Sequence, residues 1–339
     1  MLNRALSVMS VVLALGTPVL ARAAEASGAW TPLESAIRAD AAGISLPQTV
    51  AGLSLSKSGE ASNGGKSVDN YAQYLSDDGV IQATLYVYLP SYADASIAAY
   101  MTDKAVMERF GAKTRRTSYE AVALAGRPKS AIRAVYDDAA DGALTTAAAF
   151  VHAGRWIVKL RVTGPAERRQ DVLAGLDGML NNLRFDQPRD IRTTRPAQFA
   201  ACPRQGADDT GAPAPVTSTA TLPRDGDGPL CIRDRVLATS GSYDVLQQPG
   251  VQGSAVIVPV DDAGTILAFD PSAAGHGYQL SIHAIGQTEL FGTYEKVPGA
   301  PQIAEILDGK DPQTAQARAT AVYAANGEVT TRAGGATAR

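Results

Sequence analysis

Residues able to do chemistry are few in this 339-residue chain, and their spacing decides most cases. There are three histidines, His152, His276 and His283. Dispersed imidazoles in that number fall short of a dedicated zinc site. His276 and His283 lie seven apart on or near one expected strand, so they would face opposite ways. His283 with Glu289, across an expected hairpin, is the one pair placed for acid–base work. Any hairpin supplies such a pair, so His283 reads as a pocket-lining or surface residue. Ser54 and Lys57 match the serine–lysine spacing of acyl-transfer enzymes. That serine must open a helix, and here it lies in an apparent strand. The partner motifs S-D-N and K-T-G are missing, and so is a G-x-S-x-G elbow. Residues 60–67 end in Gly-Lys-Ser like a phosphate-binding loop, but Glu60 stands where the first glycine is needed and strand-like residues follow. That stretch reads as a hairpin turn. Asp225 and Asp227 offer two oxygen ligands of a calcium loop without its third or its downstream glutamate, which reads as a plain turn. No catalytic residue, metal site or cofactor is assigned.

Tyrosines give the better lead. Tyr86 and Tyr88 share one face of the expected strand 80–89, and Tyr74 is expected to join them. Aromatic rings with polar tips suit a binding surface, and more readily a contact beneath one of the helices. If exposed, that face is the candidate site for a partner or ligand. Tyr86, Tyr88 and His283 are therefore the expected binding residues.

The elements that must position these residues centre on 145–185. From Trp156 the pattern alternates, with Trp156, Val158, Leu160 and Val162 on one face and Ile157, Lys159, Arg161 and Thr163 on the other, as in a half-buried strand. A turn at Ala153-Gly154 joins it to the preceding strand. Beyond Val162 the period becomes helical. Thr163 or Gly164 is the expected cap, Pro165 suits the first turn, and Val172, Leu173, Leu176, Met179, Leu180 and Leu183 form one apolar face. Upstream, 68–75 and 80–89 predict a hairpin about Asp77-Asp78-Gly79. Asp94 or Ser96 caps a helix that Gly111 ends, and 119–124 pairs with 130–136. Strands with helices set apart predict an α+β fold, an antiparallel sheet with helices packed on it, followed by a second, smaller β-rich α+β unit.

This order resembles the PsbP-like family, with its DcrB-like exported members, over about residues 45–190. The matching features are the Leu53-Ser54-Leu55 strand, the helix 94–110, the turn Leu124-Ala-Gly-Arg-Pro, and the closing strand and helix of 156–183. The resemblance implies a PsbP-like sandwich for 24–190. Members share no catalytic site, so it implies no functional residues.

Residues 1–23 read as a secretory signal, with Arg4 before a short apolar run and a small-x-small site that predicts cleavage near Ala23. Residues 24–49 read as an Ala-rich, mobile or weakly helical lead-in. Residues 191–230, rich in Pro, Gly and Asp, read as a linker or long loop. Residues 231–329 read as the second β-rich domain, with strands near 254–260, 265–269, 278–284, 289–296 and 318–323 and a helix at 301–307. Residues 330–339 read as a disordered tail. Cys202 and Cys231, the two cysteines, bracket the linker and predict a disulfide. With 31 basic and 34 acidic residues the net charge is −3, and no basic stripe fits a nucleic acid. No membrane span is expected in the mature chain. The expected protein is periplasmic or secreted, a non-catalytic module binding an envelope protein or small molecule. The alternative is an exported hydrolase whose site is not recognisable in sequence.

Overall fold

The computed structural model describes residues 28–62, 66–203, 229–249, 254–272 and 277–334. The expected signal sequence, His276, Asp225 and Asp227 lie outside the described residues. Three antiparallel sheets dominate. The small sheet has four strands in the order Trp30–Pro32, Ala36–Ala39, Ile44–Pro47 and Arg184–Phe185. The central sheet has eight: Thr49–Val50, Leu53–Glu60, Asp69–Ser76, Gln82–Tyr88, Trp156–Pro165, Leu144–Ala153, Arg127–Asp138 and Arg115–Leu124. The distal sheet is an eight-stranded meander in sequence order, from Cys231–Ala238 to Val329–Ala333.

This overturns the expected α+β sandwich with helices packed on one sheet. The chain is mainly antiparallel β, with sheets of four, eight and eight strands and few helices. Two stretches account for much of the difference. The Ala-rich lead-in is strand, burying Trp30, Ile37, Ala39, Ile44 and Leu46. The hairpin Cys231–Ala238 with Gly241–Gln247 also escaped the expected strands.

The sheets stack in layers. The small sheet and the helix Arg169–Asn182 cover one face of the central sheet, with Val172, Leu176, Met179 and Leu180 against Val158, Leu160 and Val162. Two glycines let this helix sit close. A Cβ on Gly178 would lie 2.6 Å from the Ala51 Cβ, and one on Gly175 would lie 3.0 Å from Leu53 Cδ1. The helix starts later than its sequence suggests, because the strand runs on through Pro165 and a 3-10 turn at Ala166–Arg168 intervenes.

The other face of the central sheet meets the helix Ala95–Phe110. Asp94 caps it, its carboxylate accepting from the N–H groups of Ser96 (2.7 Å) and Ile97 (3.2 Å). Ala95, Ala98 and Ala99 lie against Ile132, Ala148, Phe150 and Ile157 of the central sheet. Ile97 and Met101, with Tyr92, lie against Leu246, Ile257, Ile266 and Ala268 of the distal sheet. This helix is therefore packed between two sheets. The far face of the distal sheet is closed by the helix Ala300–Leu307, through Ile303 and Ile306.

A polar clamp fixes the middle layer. The Asp244 carboxylate accepts from Tyr100 Oη (2.5 Å) and Lys104 Nζ (2.7 Å) on the helix, and from Arg235 Nε (3.0 Å) on its own sheet. Cys202 and Cys231 are disulfide-bonded, and Ala200–Cys202 runs beside the edge strand, exchanging backbone hydrogen bonds with Ile232 at 2.8 Å. Among the described residues, no helix is long and apolar enough to cross a membrane.

Candidate functional site

The helix Ala95–Phe110 fills only part of the space between the central and distal sheets. Beside its C-terminal end a cleft of about 340 Å3 remains. Its floor is set by strand register. Tyr71, Tyr86 and Lys159 stand in one row across three strands, Asp69, Tyr88 and Ile157 in the row beside it, and Thr84 and Arg161 in the row on the other side. Period-two alternation puts all these side chains on the face opposite the main core. The walls come from Arg109 of the helix, Ala61, the distal-sheet loop at Asp262 and Ala263, and Ile285. That loop is shaped by Asp261, whose carboxylate accepts from the N–H groups of Ala263 (3.0 Å) and Thr265 (2.9 Å). Gly264, at φ +98°, lets the backbone run close to Tyr88 and Pro90.

Charge in the cleft is unevenly satisfied. Lys159 is buried and its Nζ lies 2.6 Å from Asp262 Oδ2, 5.8 Å from the Tyr86 ring centre and 6.0 Å from that of Phe150. Burial lowers its pKa, and the Asp262 carboxylate works against that. Arg161 is half-buried, with its guanidinium 5.6 Å from the Phe110 ring centre; the exposed Arg109 lies 5.7 Å from the same ring. Among the described residues, no carboxylate reaches ion-pair distance of either arginine. Burial, and then the charge of Arg109, lower the pKa of Arg161. At the acidic end, burial and then Glu60 raise the Asp69 carboxyl. Tyr88 is 3% exposed, and its phenol is pushed up by burial and then by Asp262, Asp261 and Asp69.

Of the three expected binding residues, the structure brings Tyr86 and Tyr88 into this cleft. Tyr74 is on the opposite face, buried in the main core, and Tyr71 takes the place beside Tyr86. His283 does not line the cleft. It is 2% exposed, with Nδ1 3.1 Å from Ser91 Oγ and 3.3 Å from Thr288 Oγ1, and Nε2 3.1 Å from Ser281 Oγ. Ser281 Oγ in turn donates to Asp270 Oδ2 at 3.5 Å. One proton order satisfies this chain: Nε2–H donates to Ser281, and Nδ1 accepts. Burial pulls the His283 pKa down to about 4 and pushes that of Asp270 up to about 6. The expected pair with Glu289 does not form. Thr288 stands opposite His283 while Glu289 stands opposite Ile282, so its side chain leaves on the other face.

The remaining motifs resolve into scaffold. Ser54 and Lys57 lie on a strand with a register shift between Leu55 and Lys57, where no helix start exposes the serine. Glu60 ends that strand opposite Asn70 of the next, antiparallel strand, and residues 63–65 of the motif lie outside the described residues. Among the described residues, no three His, Cys, Asp or Glu side chains gather for a metal. Two other hollows, one near Gly154 and Gly327 and one near Ser96 and Phe199, hold one arginine and one aspartate apiece. Of the cleft residues that sequence reasoning missed, Lys159 and Arg161 were visible as the polar phase of an alternating strand. Asp262 and Arg109 had no signal, since a contact across sheets leaves none in a local pattern. No protein family, curated protein or solved structure matches the chain.

Proposed function

We propose that this chain is an exported, non-catalytic binding protein whose small-molecule ligand occupies the cleft between the central and distal sheets. The observation that carries the proposal is the row of Tyr71 and Tyr86 with the half-buried Arg161 in the adjacent row, which no described carboxylate reaches at ion-pair distance. Such clefts suit ligands because apolar walls supply area and a few fixed polar groups supply orientation, and about 340 Å3 falls within the usual size of such sites. The disulfide and the lack of a membrane-crossing helix among the described residues are compatible with a periplasmic or secreted protein. Cleavage near Ala23 and the PsbP-like resemblance of 45–190 belong to the same proposal, the latter on the strand and helix order quoted above.

The hydrolase alternative rests on Ser91 Oγ lying 3.1 Å from His283 Nδ1. Two features weigh against it. The imidazole is buried among hydroxyls, and a pKa of about 4 makes it a poor base at neutral pH.

Native mass spectrometry of the protein exported by its own host tests the proposal. The expected spectrum shows a chain shortened to about residue 24 that carries a small-molecule adduct, and Tyr86→Ala removes the adduct. An adduct that Tyr86→Ala leaves untouched, or bare chains throughout, would refute it. Labelling of Ser91 by a fluorophosphonate would favour the hydrolase.

A further inference from the structure

We infer that the ligand of this cleft is a small organic anion whose carboxylate or phosphate is held by Arg161 and Arg109 while its body lies along Tyr71 and Tyr86. The inference rests on the binding proposal above and adds the chemical class.

It begins from an imbalance. The cationic side chains of the cleft are unevenly partnered. Lys159 and Asp262 neutralise each other at 2.6 Å. The Asp261 carboxylate accepts from two backbone N–H groups of its own loop. Asp69, at the far end, stands on the strand two over from that of Arg161; its charged neighbour is the like-charged Glu60, and it forms no ion pair with Arg161. What remains is Arg161 and Arg109 on one aromatic ring, Phe110, at 5.6 and 5.7 Å. Two like charges in a partly dry site repel one another, and an anion between them reverses the sign of that energy. A guanidinium resting on an aromatic ring keeps the N–H donors at its edge, in the fork that matches carboxylate and phosphate oxygens. The chain spends ordering and burial on Arg161 without bringing a carboxylate to ion-pair distance, since Asp262 is held by Lys159 and reaches Arg161 only as a longer-range charge, so the close partner comes from outside.

Shape argues for an organic anion rather than a bare ion. The cleft extends from Arg161 past Tyr86 to Tyr71 and Tyr88, well beyond one oxyanion. Tyr71 and Tyr86 are neighbours in one row and both half-buried, offering ring surface to a planar or apolar body. The acidic group at the far end, Asp69, would repel a second negative charge there, which favours ligands with charge at one end only.

Chemical-shift titration of the full exported chain separates this inference from the one beneath it. The probes are benzoate, phenyl phosphate, their neutral counterpart benzamide, and inorganic phosphate. Benzoate or phenyl phosphate is expected to shift cleft resonances, with benzamide about tenfold or more weaker; the tighter of the two anions identifies the charged group. Arg161→Gln should weaken the anion by about tenfold and leave benzamide unchanged, and Arg161→Lys, which keeps the charge but loses the fork, should fall between. Tyr86→Ala should weaken anion and amide alike. Equal binding of anion and amide, indifferent to Arg161→Gln, would overturn the anion and leave the cleft standing. Inorganic phosphate binding as tightly as phenyl phosphate would overturn the organic ligand. If none of the probes shifts the cleft, both inferences fail together.

Discussion

Acidifying the protein should reveal two opposed proton switches in the layer between the sheets. His283 titrates near 4 in the folded chain against an ordinary 6.5, because burial disfavours the imidazolium. The unfolded chain takes up this proton first, so the contribution is intact above about pH 6.5 and is lost as pH falls toward 4. Between pH 7 and 4 the loss amounts to about 3 kcal/mol. Asp270 runs the other way. Burial raises it from 3.8 to about 6, so the folded chain takes up this proton first and gains stability as pH falls through 6. That gain is about 2 kcal/mol by pH 4. Ser281 links the two groups, so the wild-type chain should show a shallow net dependence from this site. Single substitutions separate the halves. Asp270→Asn should be more stable than wild type at pH 7 and should lose about 2 kcal/mol more than wild type on going to pH 4, while His283→Gln should flatten or reverse the slope. Urea unfolding at several pH values, referenced to wild type, measures this. The reasoning fails if Asp270→Asn follows the wild-type pH profile.

Other outcomes follow from the same packing. Asp244→Ala removes three hydrogen bonds from a carboxylate whose side chain is 2% exposed, but Lys104 and Arg235 are 32% and 67% exposed and can rehydrate. The expected loss is about 2–3 kcal/mol in urea unfolding, below that of a fully buried broken pair, and a loss under about 0.5 kcal/mol would contradict the clamp. Gly178→Ala gains about 1 kcal/mol of helix propensity yet forces a Cβ to 2.6 Å from that of Ala51, so it should destabilise on balance. Adding Ala51→Gly, at a residue with φ 49°, should restore at least wild-type stability; a double variant as weak as the single one would sink the clash. Cys202→Ser should cost about 3–4 kcal/mol from the loop of 29 it opens, and reductant should bring wild type to the same midpoint.

Sequence reasoning succeeded where one local period governs one face. Trp156, Val158, Leu160 and Val162 alternate because a single core lies on one side of their strand, and Val172, Leu176 and Met179 repeat because their helix has one covered face. The hairpin ending at Tyr88 and the turn at Gly154, with φ 63°, were legible from their glycines and acidic residues. Two-sided burial hid the rest. The helix Ala95–Phe110 buries residues toward both sheets, so its face pattern does not reveal the distal sheet. The Ala-rich 30–47 region carries few β-branched residues, and it becomes strand through tertiary contacts of Trp30 and Ile44. Parity misplaced Tyr74 and Glu289, since a one-residue change of register sends a side chain to the opposite face.

The most direct test of the ligand cleft is a crystal structure of the chain purified from its own host without added ligand. Non-protein density is expected beside Tyr86 with oxygen atoms at hydrogen-bond distance from Arg161. A cleft closed by its own side chains, with Arg161 paired to Asp262 or Asp69, would contradict it.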